Sequence, residues 1–407
     1  MPAAVLVLLL TYFLVALQRL PKSRIKAPAG ALLGAVLMVS LGVVSAADAI
    51  SYIPASLLLF LTGMLVIAEY LQAGNVISFF AERVLRYAGN PRRLLIAVLV
   101  LSAVFSALAL NLTAAIVISP LVIAICRKVG IPPAPYLVAV ILGANLGGAA
   151  TAVGSPQTML VVSLAGIGFL EYAAKMAEIC LAGAVVASIW LYMHFRVKLP
   201  SISFGPALAD IVPQRLNFTG WSSIIVLICV IAALMAGVSM PVAAIGGAAL
   251  LLAVNPQPPK DVLSCVNWPL IATIGALFVV VGGAVHSGIA LWAATNLIPE
   301  IENEIAHIAA VVAAGGFMSF VFSDVSSAAF FQAVLSEMEN PKILWFALAL
   351  TTSFAGNLSL YGSLSNLTVV ETSRERGEQI GYLEFLKVGL PVSLVTLAIG
   401  IAFLSFR

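Results

Sequence analysis

Asn111-Leu112-Thr113 interrupts one membrane-long apolar run of this 407-residue chain, and Asn145-Leu146-Gly147-Gly148-Ala149-Ala150-Thr151-Ala152-Val153-Gly154-Ser155-Pro156 interrupts the next. Both interruptions recur in the second half, as Asp324-Val325-Ser326 and then Ser353-Phe354-Ala355-Gly356-Asn357-Leu358-Ser359-Leu360-Tyr361-Gly362-Ser363. Paired interrupted helices at corresponding places in two halves point to binding elements near the middle of a bilayer. The repeat is also local. Gly154 to Val162 aligns with Gly362 to Val370 at a shift of 208, and the hairpin tips Asn111 and Asp324 align at a shift of 213.

The solvent of this chain is lipid. Hydrophobic residues make up 62% and charged residues 9%, with a mean hydropathy of +1.12, whereas soluble domains carry roughly 25% charged residues. The four cysteines are scattered without metal or redox spacing. The apolar N-terminus has its basic residues after it, not before, the reverse of a cleaved signal peptide. It reads as a retained first span.

Apolar segments of spanning length, roughly 15–20 residues, occur at 2–17, 29–46 and 53–70. A short two-faced segment at 75–87 suits the membrane interface. Two arms, 94–110 and 114–126, flank Asn111–Thr113 as a re-entrant hairpin, because the second arm is too short to cross comfortably. Segment 135–170 is broken around 147–156, and 176–195 closes the half. The second half repeats the order at 221–236, 240–254, 268–285, 288–297, 305–322, 328–335, 343–371 and 385–406.

The chain thus reads as an all-α polytopic membrane protein. Two inverted repeats of five transmembrane spans, 1–197 and 218–407, each carry a re-entrant hairpin and a broken helix, with a cytoplasmic linker at 198–217. Charge placement tests this independently. One side receives Arg19, Lys22, Arg24, Lys26, Arg83, Arg86, Arg92, Arg93, Arg127, Lys128, Arg196, Lys198, Arg215, Lys260, Arg374, Arg376 and Lys387, the other only Lys175, Lys342 and Arg407. By the positive-inside rule the first side is cytoplasmic. The expectation is a multi-pass protein of the plasma (inner) membrane with both termini outside.

Backbone freed by a break inside the membrane lines protein or water. Half-helix N-termini suit anions, while unwound carbonyls and side-chain oxygens suit cations. Asn111, Thr113, Asp324, Ser326 and Ser327 supply oxygens at the tips, and Ser155, Asn357 and Ser363 complete two pseudo-symmetric sets. Asn145, Thr151, Ser323 and Asn366 are the other polar candidates of the breaks. Such a set suits a hard cation, with Na⁺ candidates at Asn111, Ser155, Asp324, Ser326, Asn357 and Ser363. The bland alternative for each Asn, Ser or Thr is a helix-to-helix hydrogen bond.

Asp324 is the only acidic residue that this topology places deep in the membrane; Glu69 falls at a span end. An intramembrane carboxylate is costly and points to function, so it is expected to hold a cation, a proton, or both alternately. The alternative is a protonated structural Asp. Its counterpart Asn111 is neutral, so the two sites differ in charge. There is no phosphate-binding GxxxxGK[ST] and no HExxH. Neither ATP drive nor a membrane enzyme is expected, and no cofactor beyond Na⁺ or H⁺ as coupling ion.

At these breaks the chain resembles the ion transporter superfamily: arsenite/antimonite permeases, D-type Na⁺/H⁺ antiporters and divalent anion:Na⁺ symporters. The resemblance lies in Asn145 to Pro156 and, most strongly, in Ser353 to Glu371 with Tyr382 to Pro391. It implies a homodimer in which a domain of hairpins and broken helices moves against a scaffold, elevator fashion. It also implies Na⁺ or H⁺ sites at Asn111, Thr113, Gly154 and Ser155, and at Asp324, Ser326, Asn357, Gly362 and Ser363, with substrate between the tips. The chain departs from the pattern at Leu110, where an acidic residue or second Asn is usual, and at Gln157, where proline is usual. The expected function is secondary active transport of a small anion, a carboxylate or oxyanion, coupled to Na⁺ or H⁺. A Na⁺/H⁺ antiporter without such a substrate is the alternative. Lipid and the substrate are the expected partners, with no nucleic acid.

Overall fold

A computed structural model describes residues 2–17, 26–200, 204, 215–298, 301, 303–338 and 342–406. Arg19, Lys22, Arg24 and Arg407 of the charge pattern, the side chain of Arg86 and most of segment 198–217 lie outside the described residues.

The helices of the first half are α1 (Pro2–Leu17), α2 (Ala27–Ser40), α3 (Ala46–Ser51), α4 (Ala55–Ala73), α5 (Val76–Arg86), α6 (Pro91–Ala109), α7 (Asn111–Val129), α8 (Ala134–Ala150), α9 (Pro156–Ala165) and α10 (Phe169–Phe195). Those of the second are α11 (Phe218–Met235), α12 (Met240–Val254), α13 (Pro259–Cys265), α14 (Trp268–His286), α15 (Ile289–Leu297), α16 (Glu304–Val321), α17 (Asp324–Ser336), α18 (Lys342–Phe354), α19 (Leu364–Glu375) and α20 (Tyr382–Ser405), with a 3-10 turn at Ala355–Leu358. The order of long, short and interrupted helices in α1–α10 is repeated in α11–α20. Eight described helices are long and apolar enough to cross a membrane, and five more apolar helices are shorter.

The breaks sit differently from where polarity alone puts them. Asn111-Leu112-Thr113 is the first turn of α7, and the chain reverses at the single residue Leu110 (φ 71°, ψ 136°). The second arm, expected to be short, is 19 residues long, or about 28 Å. Likewise Asp324-Val325-Ser326 is the first turn of α17, after a break at Phe322 and Ser323.

The first broken helix also runs further than expected, to Ala150, so Gly147 and Gly148 are helical. A Cβ on Gly147 would collide with the backbone of Ala103 in α6, and one on Gly143 with the Leu99 carbonyl. These glycines serve close helix packing, and the break is confined to residues 151–155.

Helices from both halves intermix in two bundles. In one, α4 packs on α12, α2 on α14, and α1 and α11 flank these pairs. In the other, α6 packs on α8, α7 on α19, α10 on α20, and α16 and α17 on α18. Among the described residues, the ion pairs Arg127–Glu378 and Lys342–Glu171 join the halves, and Lys198 of the linker pairs with Glu384. The interrupted helices all lie in the second bundle, so their breaks are gathered in its interior.

Candidate functional site at the helix breaks

Three of the four half-helix starts are capped by a serine. Ser155 accepts from Thr158 N, Ser323 from Ser326 N and Ser363 from Asn366 N, which satisfies one orphan amide at each start. The fourth, α7, begins after Leu110 with no side-chain cap; its Asn111 N–H donates to the carbonyl of Gly154 at 2.8 Å. The backbone of the first tip is therefore tied to the first break.

The two breaks share one construction. Thr158 Oγ1 donates to Gly148 O at 3.2 Å, and Asn366 Nδ2 donates to Gly356 O at 2.7 Å, both pairs related by the shift of 208. A Cβ on Gly154 would stand 2.7 Å from Gly148 O, and one on Gly362 would collide with Gly356 O. Only glycine lets the chain turn back this close to the preceding half-helix.

The second break is closed by a residue of the first half. Asn145 Nδ2 donates to Asn357 Oδ1 at 2.7 Å and to Asn366 Oδ1 at 2.9 Å. Its Oδ1 accepts from Ser365 Oγ at 3.0 Å and lies 3.3 Å from Ser363 Oγ. All five residues are buried. Asn357 Nδ2 has no partner among the described residues, and a buried amide donor left so costs about 1–3 kcal/mol. The cluster thus offers a donor for an oxygen that is not part of the protein.

Asp324, 3% exposed, opens α17. Gln157, in the first turn of α9, donates Nε2 to its Oδ2 at 3.2 Å. Beside it, Tyr12 of α1 donates to the Ser326 carbonyl at 2.9 Å, with its ring edge-on to Phe322 at 5.3 Å.

The structure thus joins Asn111 to Gly154, and Asn145 to Asn357, Ser363 and Asn366. Ser323 and Ser326 pair with each other through their hydroxyls at 3.1 Å, and Thr113 is buried in the first turn of α7. Two candidates turn away: Thr151 Oγ1 donates to Ala107 O at 2.5 Å and Ser327 Oγ to Gly315 O at 2.9 Å, helix-to-helix bonds of the bland kind. Gln157 as a partner of Asp324, Thr158, Ser365 and Tyr12 were missed from sequence. The 208-residue alignment sets Gln157 opposite Ser365 and Thr158 opposite Asn366, a signal that finds three of them; Tyr12 leaves none.

A cavity of about 460 Å³ opens below the second tip. Ser323, Val325, Ser326 and Leu364 line its inner end, and Lys26 and Asn267 are among its other walls.

The model of the citrate transporter family (CitMHS) matches residues 12–352 and 230–407, and the chain belongs to that family. It is a membrane transporter of the kind the sequence resembles. Among its relatives is a 46 kDa membrane protein of Mycobacterium leprae, 27% identical over 99% of this chain and 98% of that one. The silicon efflux transporter LSI3 of rice is 25% identical over 92% of this chain and 91% of its own length. The crystal structure of the YdaH transporter of Alcanivorax borkumensis covers 99% of this chain and 96% of that one, with a TM-score of 0.59 at 16% identity, a likeness of fold.

Proposed function

We propose that this protein is a secondary active transporter that moves a small anion, a carboxylate or oxyanion, coupled to Na⁺ or H⁺ bound at Asp324. The observation that carries this reading is the buried Asp324 carboxylate at a helix break, held by an amide from the other half. A neutral amide leaves the carboxylate its charge, which a proton or Na⁺ then neutralises. Anion and coupling ion favour each other's binding by the same factor, as linkage requires. The unpartnered amide of Asn357 supports an oxygen-bearing cargo.

Two bundles that each mix helices of both halves suit an elevator, in which the one holding the breaks moves past the other. The repeated helix order supports inverted repeats, and the resemblance supports a homodimer in the plasma membrane. The test is a proteoliposome flux panel of citrate, succinate, sulfate, arsenite and Na⁺, each under imposed Na⁺ or pH gradients. Asp324→Asn is expected to abolish gradient-driven accumulation; unchanged accumulation would overturn the coupling assignment. Alkaline Na⁺ efflux with no anion flux would establish the Na⁺/H⁺ antiporter instead.

A further inference from the structure

We infer that Lys26 is a specificity residue, supplying the charge that draws an anion into the cavity below the second tip and selects it over an uncharged molecule. The inference rests on the proposed anion transport and adds a residue outside the helix breaks.

The cavity is walled mainly by the opening turns of four helices. Lys26 with Ala27 and Pro28 begins α2, Asn267 begins α14, Ser323 and Ser326 begin α17, and Leu364 begins α19. Helix N-termini carry partial positive charge, so all four contribute potential of one sign. Lys26 adds a full charge at an exposed position, and no acidic residue is among those lining the cavity. No described hydrogen bond or ion pair engages its ammonium.

An independent sign of a ligand comes from the inner end. Ser323 Oγ donates to Ser326 Oγ at 3.1 Å, so the hydrogen of Ser326 is left over. Ser326 is fully buried, and no described acceptor takes that hydrogen. A buried donor without an acceptor is costly, and it lies in the wall of a cavity large enough for a small anion and its waters. The outer ammonium recruits the anion and the inner hydroxyl receives it, two residues after the carboxylate that the coupling ion neutralises. A negative charge at Asp324 repels an anion, and a bound cation lifts that repulsion.

The rest of the wall is apolar, with Val15, Leu270 and Leu277, apart from Thr273, whose hydroxyl donates to Pro269 O. Lys26 is therefore the one fully charged lining group among the described residues, and its removal should be felt as charge and not as packing.

The experiment uses the full chain in proteoliposomes with Lys26→Gln and Lys26→Arg, and citrate, succinate, sulfate and arsenite as probes; arsenite is uncharged at neutral pH. For any anion transported by the unmodified protein, Lys26→Gln is expected to raise the half-saturating concentration by about tenfold, with the maximal rate nearly kept and the salt dependence flattened. Lys26→Arg should restore it, and arsenite flux should not change. An unaltered anion half-saturation in Lys26→Gln, or an equal rise for arsenite, would overturn the inference while leaving the coupling role of Asp324 standing. Absence of all anion flux in the unmodified protein would overturn the inference together with the anion transport on which it rests.

Discussion

Gln157 and Asp324 lie 167 residues apart and meet inside the bundle, the amide nitrogen donating to the carboxylate at 3.2 Å. The bond joins the first turn of α9 to the first turn of α17, so a break of one half is tied to the hairpin tip of the other. A hydrogen bond to a charged group is worth about 1.5–3 kcal/mol, and 1.4 kcal/mol is about a factor of ten. Gln157→Leu, which removes this tie between the break and the tip, is therefore expected to lower gradient-driven uptake by about tenfold or more. Uptake into proteoliposomes measures this, and uptake equal to that of the unmodified protein would show that the Gln157 bond is dispensable.

Asn145 is the densest junction between the halves, with both amide hydrogens and its oxygen engaged by residues of the second break. Asn145→Leu leaves the Asn357 oxygen buried without its partner, while Ser365 Oγ and Asn366 Oδ1 keep Ser363 Oγ. At about 1–3 kcal/mol for the orphaned oxygen, the expected loss is of that size. It would appear as a clear drop in detergent thermal melting temperature, together with lost transport. Asn145→Asp keeps the acceptor but turns a carboxylate oxygen towards the Asn357 and Asn366 oxygens, so a drop at least as large is expected; a melting temperature equal to the unmodified protein's in both variants would refute the junction's importance.

The helix order and the two broken helices are legible in the sequence because hydropathy responds to them directly. Span ends are less legible. Asn111 and Asp324 look like breaks since they are polar, yet they are opening turns whose break is a neighbour, apolar Leu110 in one case and the Phe322-Ser323 pair in the other. Gly147 looks like a breaker, yet its missing Cβ lets α8 press onto α6. Local composition cannot separate a glycine that ends a helix from one that packs it. Contacts such as Tyr12 to Ser326, 314 residues apart, depend on how the bundles dock and leave no periodicity or motif behind.

Gly362 and Gly246 make a matched pair for the close turn at the second break. A Cβ at Gly362 meets the Gly356 carbonyl and lies 3.0 Å from the Ser359 carbonyl, both backbone atoms that cannot swing aside. At Gly246, inside α12, a Cβ meets nothing within 4 Å. Gly362→Ala is expected to abolish transport and lower the melting temperature. Gly246→Ala should leave transport intact and add up to about 1 kcal/mol of helix stability. Flux and melting measurements on the two variants decide the point, and full activity in Gly362→Ala would mean the turn can relax.

Tyr12 belongs to the bundle without breaks, yet its hydroxyl reaches the Ser326 carbonyl of the second tip and its ring meets Phe322. Val15, one turn further along α1, lines the cavity with Ser323 and Ser326. The Tyr12 bond thus fastens the tip to α1 at the head of that cavity, in the arrangement where the cavity is open. A net hydrogen bond contributes about 0.5–1.5 kcal/mol, so Tyr12→Phe, which keeps the ring contact, should lower the share of molecules in this arrangement by about two- to tenfold. The readout is maleimide labelling of Thr273→Cys in the cavity wall, after the exposed Cys229 and Cys265 have been changed to serine. Labelling should slow in Tyr12→Phe while the melting temperature stays close to that of the parent. Labelling at the parent's rate would show that the bond accompanies this arrangement without holding it.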